Sequence, residues 1–237
     1  MKRTMPLNIG FVCGLSLVLA AAASTAEAAI VPFTETFAGG AANWFDGPGT
    51  AVVDWNAAGG PGGSAYVSSS GGFLTANTDD PVLFFRAQDE FGSSGGAFVG
   101  NWIADGVNQF SAWVRHDAGV PLNFFTRFAS PNNFPAANQV FFQPVPSGTW
   151  TQLVALLPNP TLIFEGPFTY QQVFSNIGHV QIGVTTPASL AGMDETFVFD
   201  LDDVSIVPEP MGLWLLGLVG LALLKRRSPA DMTERDA

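Results

Sequence analysis

Short runs rich in Phe, Val, Trp and Thr recur along the middle of this chain, separated by clusters of Gly, Pro, Asn and Ser. The pattern predicts strands near Phe33–Phe37, Ala51–Trp55, Ser64–Ser68, Val82–Arg86, Val107–His116, Leu122–Phe128, Gln139–Val145, Thr149–Leu156, His179–Thr185 and Glu195–Ile206. Within three of them the alternation assigns faces. Phe110, Ala112 and Val114 share one side of their strand, against Gln109, Ser111, Trp113 and Arg115. Leu122, Phe124, Thr126 and Phe128 oppose Asn123, Phe125 and Arg127; Val180, Ile182 and Val184 oppose His179, Gln181 and Thr185. A mostly apolar face backed by a polar, aromatic one is the signature of sheets packed on one side only. The fold class expected for residues 29–206 is therefore all-β, an antiparallel β-sandwich. No long amphipathic helix and no internal repeat interrupts it. The glycine-rich stretches Gly59–Gly63 and Gly92–Gly96 read as loops; neither carries a phosphate-loop lysine or opens a helix.

The two ends follow different patterns. Residues 1–28 read as a secretory signal peptide: Lys2 and Arg3 form a positive start, Leu7–Ala23 is apolar apart from Asn8 and Ser16, and Ala26-Glu27-Ala28 offers small residues to a signal peptidase. At the other end Val207-Pro208-Glu209-Pro210 leads into Met211–Leu224, where every residue is apolar or Gly, and then Lys225-Arg226-Arg227. Pro210 suits the first turn of a helix. Residues 211–224 as a helix would be apolar all round and about 21 Å long, short against a hydrocarbon core of about 30 Å. Lys225, Arg226 and Arg227 make a membrane stop that stays on the cytoplasmic side, which puts the middle region outside the cytoplasm. Residues 228–237 form a polar cytoplasmic tail.

Composition narrows the function classes. Cys13, the only cysteine, lies in the signal segment, so a processed chain has no disulfide, thiol nucleophile or thiolate metal ligand. The formal net charge is −11. Between residues 29 and 207 the basic side chains are Arg86, Arg115 and Arg127. This excludes a nucleic-acid footprint and argues against anionic lipid surfaces. No Gly-x-Ser-x-Gly elbow accompanies His116 and His179, and no His-Glu-x-x-His motif is present, so the chain is not expected to be an enzyme. The remaining enzymatic alternative is a glycan hydrolase using a carboxylate pair drawn from Glu35, Glu90, Glu165 and Glu195.

The tripartite C-terminal ending resembles the PEP-CTERM sorting signal, with Pro208, Glu209 and Pro210 as its motif. The resemblance implies a substrate of an exosortase-type processing enzyme. Such a protein is held transiently in the inner membrane, then delivered to the cell surface or the extracellular matrix, in association with exopolysaccharide. The middle region resembles jelly-roll domains of the carbohydrate-binding-module type. That likeness rests on Thr34-Glu35-Thr36-Phe37 with Trp44, and on the closing strand Phe199-Asp200-Leu201-Asp202-Asp203-Val204-Ser205-Ile206. It implies a structural Ca²⁺ tying the first strand to the last, with Glu35, Asp202 and Asp203 as ligands; solvated strand-edge carboxylates are the alternative reading. Trp113, Arg115, Phe125, Arg127, His179 and Gln181 are the candidate glycan-binding residues if they share one open sheet face. No cofactor other than that Ca²⁺ is expected.

Overall fold

The computed structural model describes residues 29–208. The expected signal peptide at 1–28, Glu209 and Pro210 of the expected sorting motif, the apolar stretch 211–224, the expected stop Lys225–Arg227 and the tail lie outside the described residues. No helix among the described residues is long and apolar enough to cross a membrane.

Twelve strands are formed: β1 (Phe33–Glu35), β2 (Phe45–Asp46), β3 (Asp54–Asn56), β4 (Tyr66–Gly72), β5 (Pro81–Gln88), β6 (Val107–His116), β7 (Asn123–Ala129), β8 (Ala136–Val140), β9 (Thr151–Leu156), β10 (Ile163–Phe164), β11 (His179–Thr185) and β12 (Thr196–Pro208), with one short helix α1 (Tyr170–Phe174). They build two six-stranded antiparallel sheets. Sheet A runs β3-β4-β12-β6-β9, with β1 also pairing β12; sheet B runs β10-β8-β7-β11-β5-β2. The expected sandwich is present.

The alternation decides what is inside. Phe110, Ala112 and Val114 of β6 are fully buried and face Phe124 and Phe128 of β7 and Ile182 and Val184 of β11. Aromatic contacts cross between the sheets: Phe84 stacks on Phe199 at 3.5 Å, and Phe110 meets Phe128 edge-on at 5.3 Å. β12 serves two partners on one side because it bulges at Asp202–Asp203, where Asp203 takes φ +44°. Below the bulge it pairs β4; beyond it, β1 takes over, with Glu35 opposite Val204.

Several local expectations change: the strands placed at Ala51–Trp55 and Ser64–Ser68 form at Asp54–Asn56 and Tyr66–Gly72. The strand placed at Gln139–Val145 forms instead at Ala136–Val140, and Val145 reaches Leu122 only as an isolated bridge. The two-residue strands β2 and β10 are too short to produce a period. Helix α1 is also unexpected, although its capping box was legible: the Thr169 hydroxyl accepts from the Gln172 amide, and the Gln172 side chain accepts from the Thr169 N–H.

Candidate functional site

The outer face of sheet B carries one continuous polar row. Register places Asn138 (β8) beside Arg127 (β7), Arg127 beside Gln181 (β11), Gln181 beside Arg86 (β5) and Arg86 beside Phe45 (β2). Of the six expected glycan residues, Phe125, Arg127, His179 and Gln181 stand on this face. Trp113 and Arg115 do not: they lie on the outer face of sheet A, on the opposite side of the sandwich. Alternation gives the side of each strand but not which strands are neighbours, so the sequence merged two surfaces.

Arg127 is held on every nitrogen. Its Nε and Nη2 donate to both oxygens of Glu165 at 2.6 and 2.8 Å, Nη1 donates to Asn133 Oδ1 and Gln181 Oε1, and Nη2 also reaches the Asn133 carbonyl. With no donor left over, Arg127 organises the floor rather than offering itself to a ligand. Its partner's carboxyl is held below the usual range by these Arg127 bonds, against an opposing effect of burial. A carboxylate kept ionised in this way is unsuited to act as a general acid.

Phe125 is also not a platform. Its ring lies over Gly183, where an added Cβ would come within 2.8 Å of it, and it is 3% exposed. The absence of a side chain at Gly183 lets the ring lie flat on the neighbouring strand.

Arg86 was missed, for want of any signal setting it apart from the other two arginines. Its Nε donates to the Gly47 carbonyl, and among the described residues its two terminal nitrogens take no protein partner. Burial lowers its pKa first, and the nearby charge of Arg127 adds to that; Asp46 and Glu90 act in the opposite direction. Beside it Phe45 and Phe91 stack at 4.0 Å. At the other end of the row Phe134, 52% exposed, covers the Arg127 guanidinium at 5.5 Å. Near the row's centre the buried Gln181 Nε2 and His179 Nδ1 have no hydrogen-bond partner. His179 Nε2 lies 3.0 Å from Glu90 Oε2, and burial lowers the imidazole pKa despite that carboxylate.

On the sheet A face the arginine is also paired, and it is more exposed than its sheet B counterpart, 26% against 11% for Arg127. Arg115 Nε donates to Asp200 at 2.7 Å, Ser68 donates to the other Asp200 oxygen, and Asn56 donates to Ser68. Tyr66 and Trp150 take up the faces of the Arg115 guanidinium at 5.2 and 4.7 Å. Trp150 Nε1 is itself tied to the Gly59 carbonyl.

The expected Ca²⁺ ligands do not assemble into a cage. Among the described residues no group of three or more His, Cys, Asp or Glu side chains is placed to hold a metal ion. Glu35 Oε1 accepts from the Phe37 N–H at 2.9 Å. Asp202 Oδ2 accepts from the Ser64 hydroxyl at 2.5 Å, and Oδ1 from the Asp203 N–H at 2.7 Å. Asp202 is fully buried, and burial above all, with Asp203 and Glu35 adding to it, pushes its carboxyl up to about 6.

No protein-family profile matches this chain, and neither does any curated protein. Among solved structures, several carbohydrate-binding modules are similar to this chain at low TM-scores. The CBM22-1 xylan-binding domain from Paenibacillus barcinonensis is 17% identical, covers 77% of this chain and 99% of its own, and gives a TM-score of 0.46. The family 11 carbohydrate-binding module of a cellulosomal cellulase from Clostridium thermocellum is 12% identical over 76% of this chain and 96% of its own, with a TM-score of 0.45. The CBM22-1–GH10 modules of endo-1,4-β-D-xylanase 10B from Clostridium thermocellum, complexed with xylohexaose, are 16% identical over 76% of this chain at a TM-score of 0.46; this chain spans 29% of that one. At TM-scores of 0.46 and below, the likeness carries no ligand over to this chain.

Proposed function

We propose that this protein is an exported, non-enzymatic component of the cell surface or matrix that binds polysaccharide across the outer face of sheet B. The observation that carries the binding half is the row Asn138–Arg127–Gln181–Arg86, lying between exposed Phe134 and the Phe45–Phe91 pair. Planar amide and guanidinium edges donate to sugar hydroxyls, and aromatic rings cover the apolar faces of sugar rings. From β2 to β8 the row crosses four strand spacings, about 19 Å, long enough for several sugar units. Arg86 supplies the free donors, while Arg127 and the buried Gln181 form the floor beneath it. The strongly acidic chain favours an uncharged glycan over a polyanionic one.

The export half is supported by the two end patterns. The N-terminal segment directs the domain outward, and Pro208-Glu209-Pro210 with 211–224 and Lys225–Arg227 forms the sorting and anchoring unit for an exosortase-type enzyme. Affinity electrophoresis of the recovered protein through gels containing xylan, mixed-linkage glucan or exopolysaccharide from the producing cells tests the binding half. Retardation in at least one gel, lost in Arg86→Ala and kept in Arg115→Ala, is the expected result. Free migration in all of them would sink it.

A further inference from the structure

The first described residue has an unusual seat. The backbone nitrogen of Ala29 lies 2.9 Å from Asp105 Oδ2, and Ala29 is 8% exposed, within the hydrophobic core cluster. The next residue continues the attachment: Ile30 N donates to the Ala97 carbonyl at 3.1 Å. The turn that presents Asp105 is braced on both sides. Asp105 N donates to the Asn101 carbonyl and Val107 N to the Trp102 carbonyl, while fully buried Trp102 donates from its indole to the Phe98 carbonyl. Asp105 takes part in none of the ion pairs among the described residues.

A half-exposed carboxylate held against one backbone nitrogen is a modest contact when that nitrogen is an amide. It becomes an ion pair when the nitrogen is a chain terminus. We infer that the chain is cut between Ala28 and Ala29 and that Asp105 is the built receptor for the new α-ammonium. Hydrolysis of that peptide bond places the water oxygen on the Ala28 carbonyl carbon as a carboxylate. Both water protons end on the Ala29 nitrogen. The small residues Ala26 and Ala28 stand where a signal peptidase inspects its substrate. The inference rests on the export reading and adds the receptor and the consequence. Processing replaces a neutral hydrogen bond with a charged one and pins the strap before β1 to the 97–105 segment.

Asp105 is the charged group hydrogen-bonded to this nitrogen; the adjoining backbone bonds, from Ile30 N to the Ala97 carbonyl and from Asp105 N to the Asn101 carbonyl, carry no charge. It raises the α-ammonium pKa in the folded state. The stabilisation is therefore complete below the unfolded value of about 7.7–8.0 and is lost as pH rises through the folded one.

The test uses protein recovered from the cell surface, by N-terminal sequencing and melting from pH 6 to 10. Expected are a first residue of Ala29 and a Tm that falls above neutral pH. Asp105→Asn should melt about 2–4 °C lower at pH 6.5 and lack the fall. Selective acetylation of the α-amine should reproduce Asp105→Asn in the wild type and leave that variant unchanged. A processed chain starting elsewhere, or an acetylation effect that persists in Asp105→Asn, would overturn the seat while leaving export standing. A chain still carrying residues 1–28 in the cytosol would overturn both.

Discussion

The Arg127 guanidinium and the Glu165 carboxylate meet through two hydrogen bonds of 2.6 and 2.8 Å, closing β7 onto the segment after β10. Arg127 is 9% exposed, so removing its partner strands a buried cation. Glu165→Ala should lower stability by about 2–3 kcal/mol in urea unfolding. The pair also sets an acid dependence. Arg127 lowers the Glu165 pKa, so its stabilisation is present above the ordinary glutamate range and is lost as pH falls through the lowered folded value. Glu165→Gln should flatten that acid limb; an unchanged profile would show the fork to be weak.

Gly183 is required by backbone as well as ring. A Cβ there would meet the Val82 carbonyl at 2.3 Å in addition to the Phe125 ring at 2.8 Å. Gly183→Ala should cost about 1–3 kcal/mol. Much of that loss should persist in a Phe125→Leu background, because the carbonyl stays in place. Complete rescue by Phe125→Leu would mean the ring alone sets the limit.

Asp202 supplies a dependence of opposite sign. Its folded pKa of about 6 lies above the unfolded one, so the folded state binds the proton more tightly. Its contribution is fully present below the unfolded pKa and is lost as pH rises through about 6. Asp202→Asn should therefore stabilise at pH 8 by up to about 3 kcal/mol and be neutral near pH 3. Added Ca²⁺ should leave the wild-type Tm at pH 7 unchanged. A Ca²⁺-dependent rise that Asp202→Asn abolishes would mean that an ion, rather than a proton, occupies this corner.

The two sheet faces should separate in binding. Phe134→Ala removes an exposed ring from the sheet B row and should weaken glycan retardation several-fold, whereas Trp113→Ala, on sheet A, should leave it intact. Loss in Trp113→Ala with retention in Phe134→Ala would move the site to the other sheet.

Much of the architecture was readable from local pattern. Strands β6 and β11 stand at their expected bounds, and the inward set of Phe110, Ala112 and Val114 followed from a period of two, because each strand need only turn one side to the core. What alternation could not specify was adjacency, since apart from β3–β4 and β7–β8 the hydrogen-bonded neighbours are not consecutive along the chain. Only the folded sheets put Arg127 beside Gln181, Gln181 beside Arg86, and Trp113 and Arg115 behind them on the far side. Tertiary contacts likewise divided three similar arginines into one saturated by Glu165, Asn133 and Gln181, one paired with Asp200 beside Tyr66 and Trp150, and one left with free donors. A side chain's partners come from distant chain, and its availability to a ligand depends on which of them arrive.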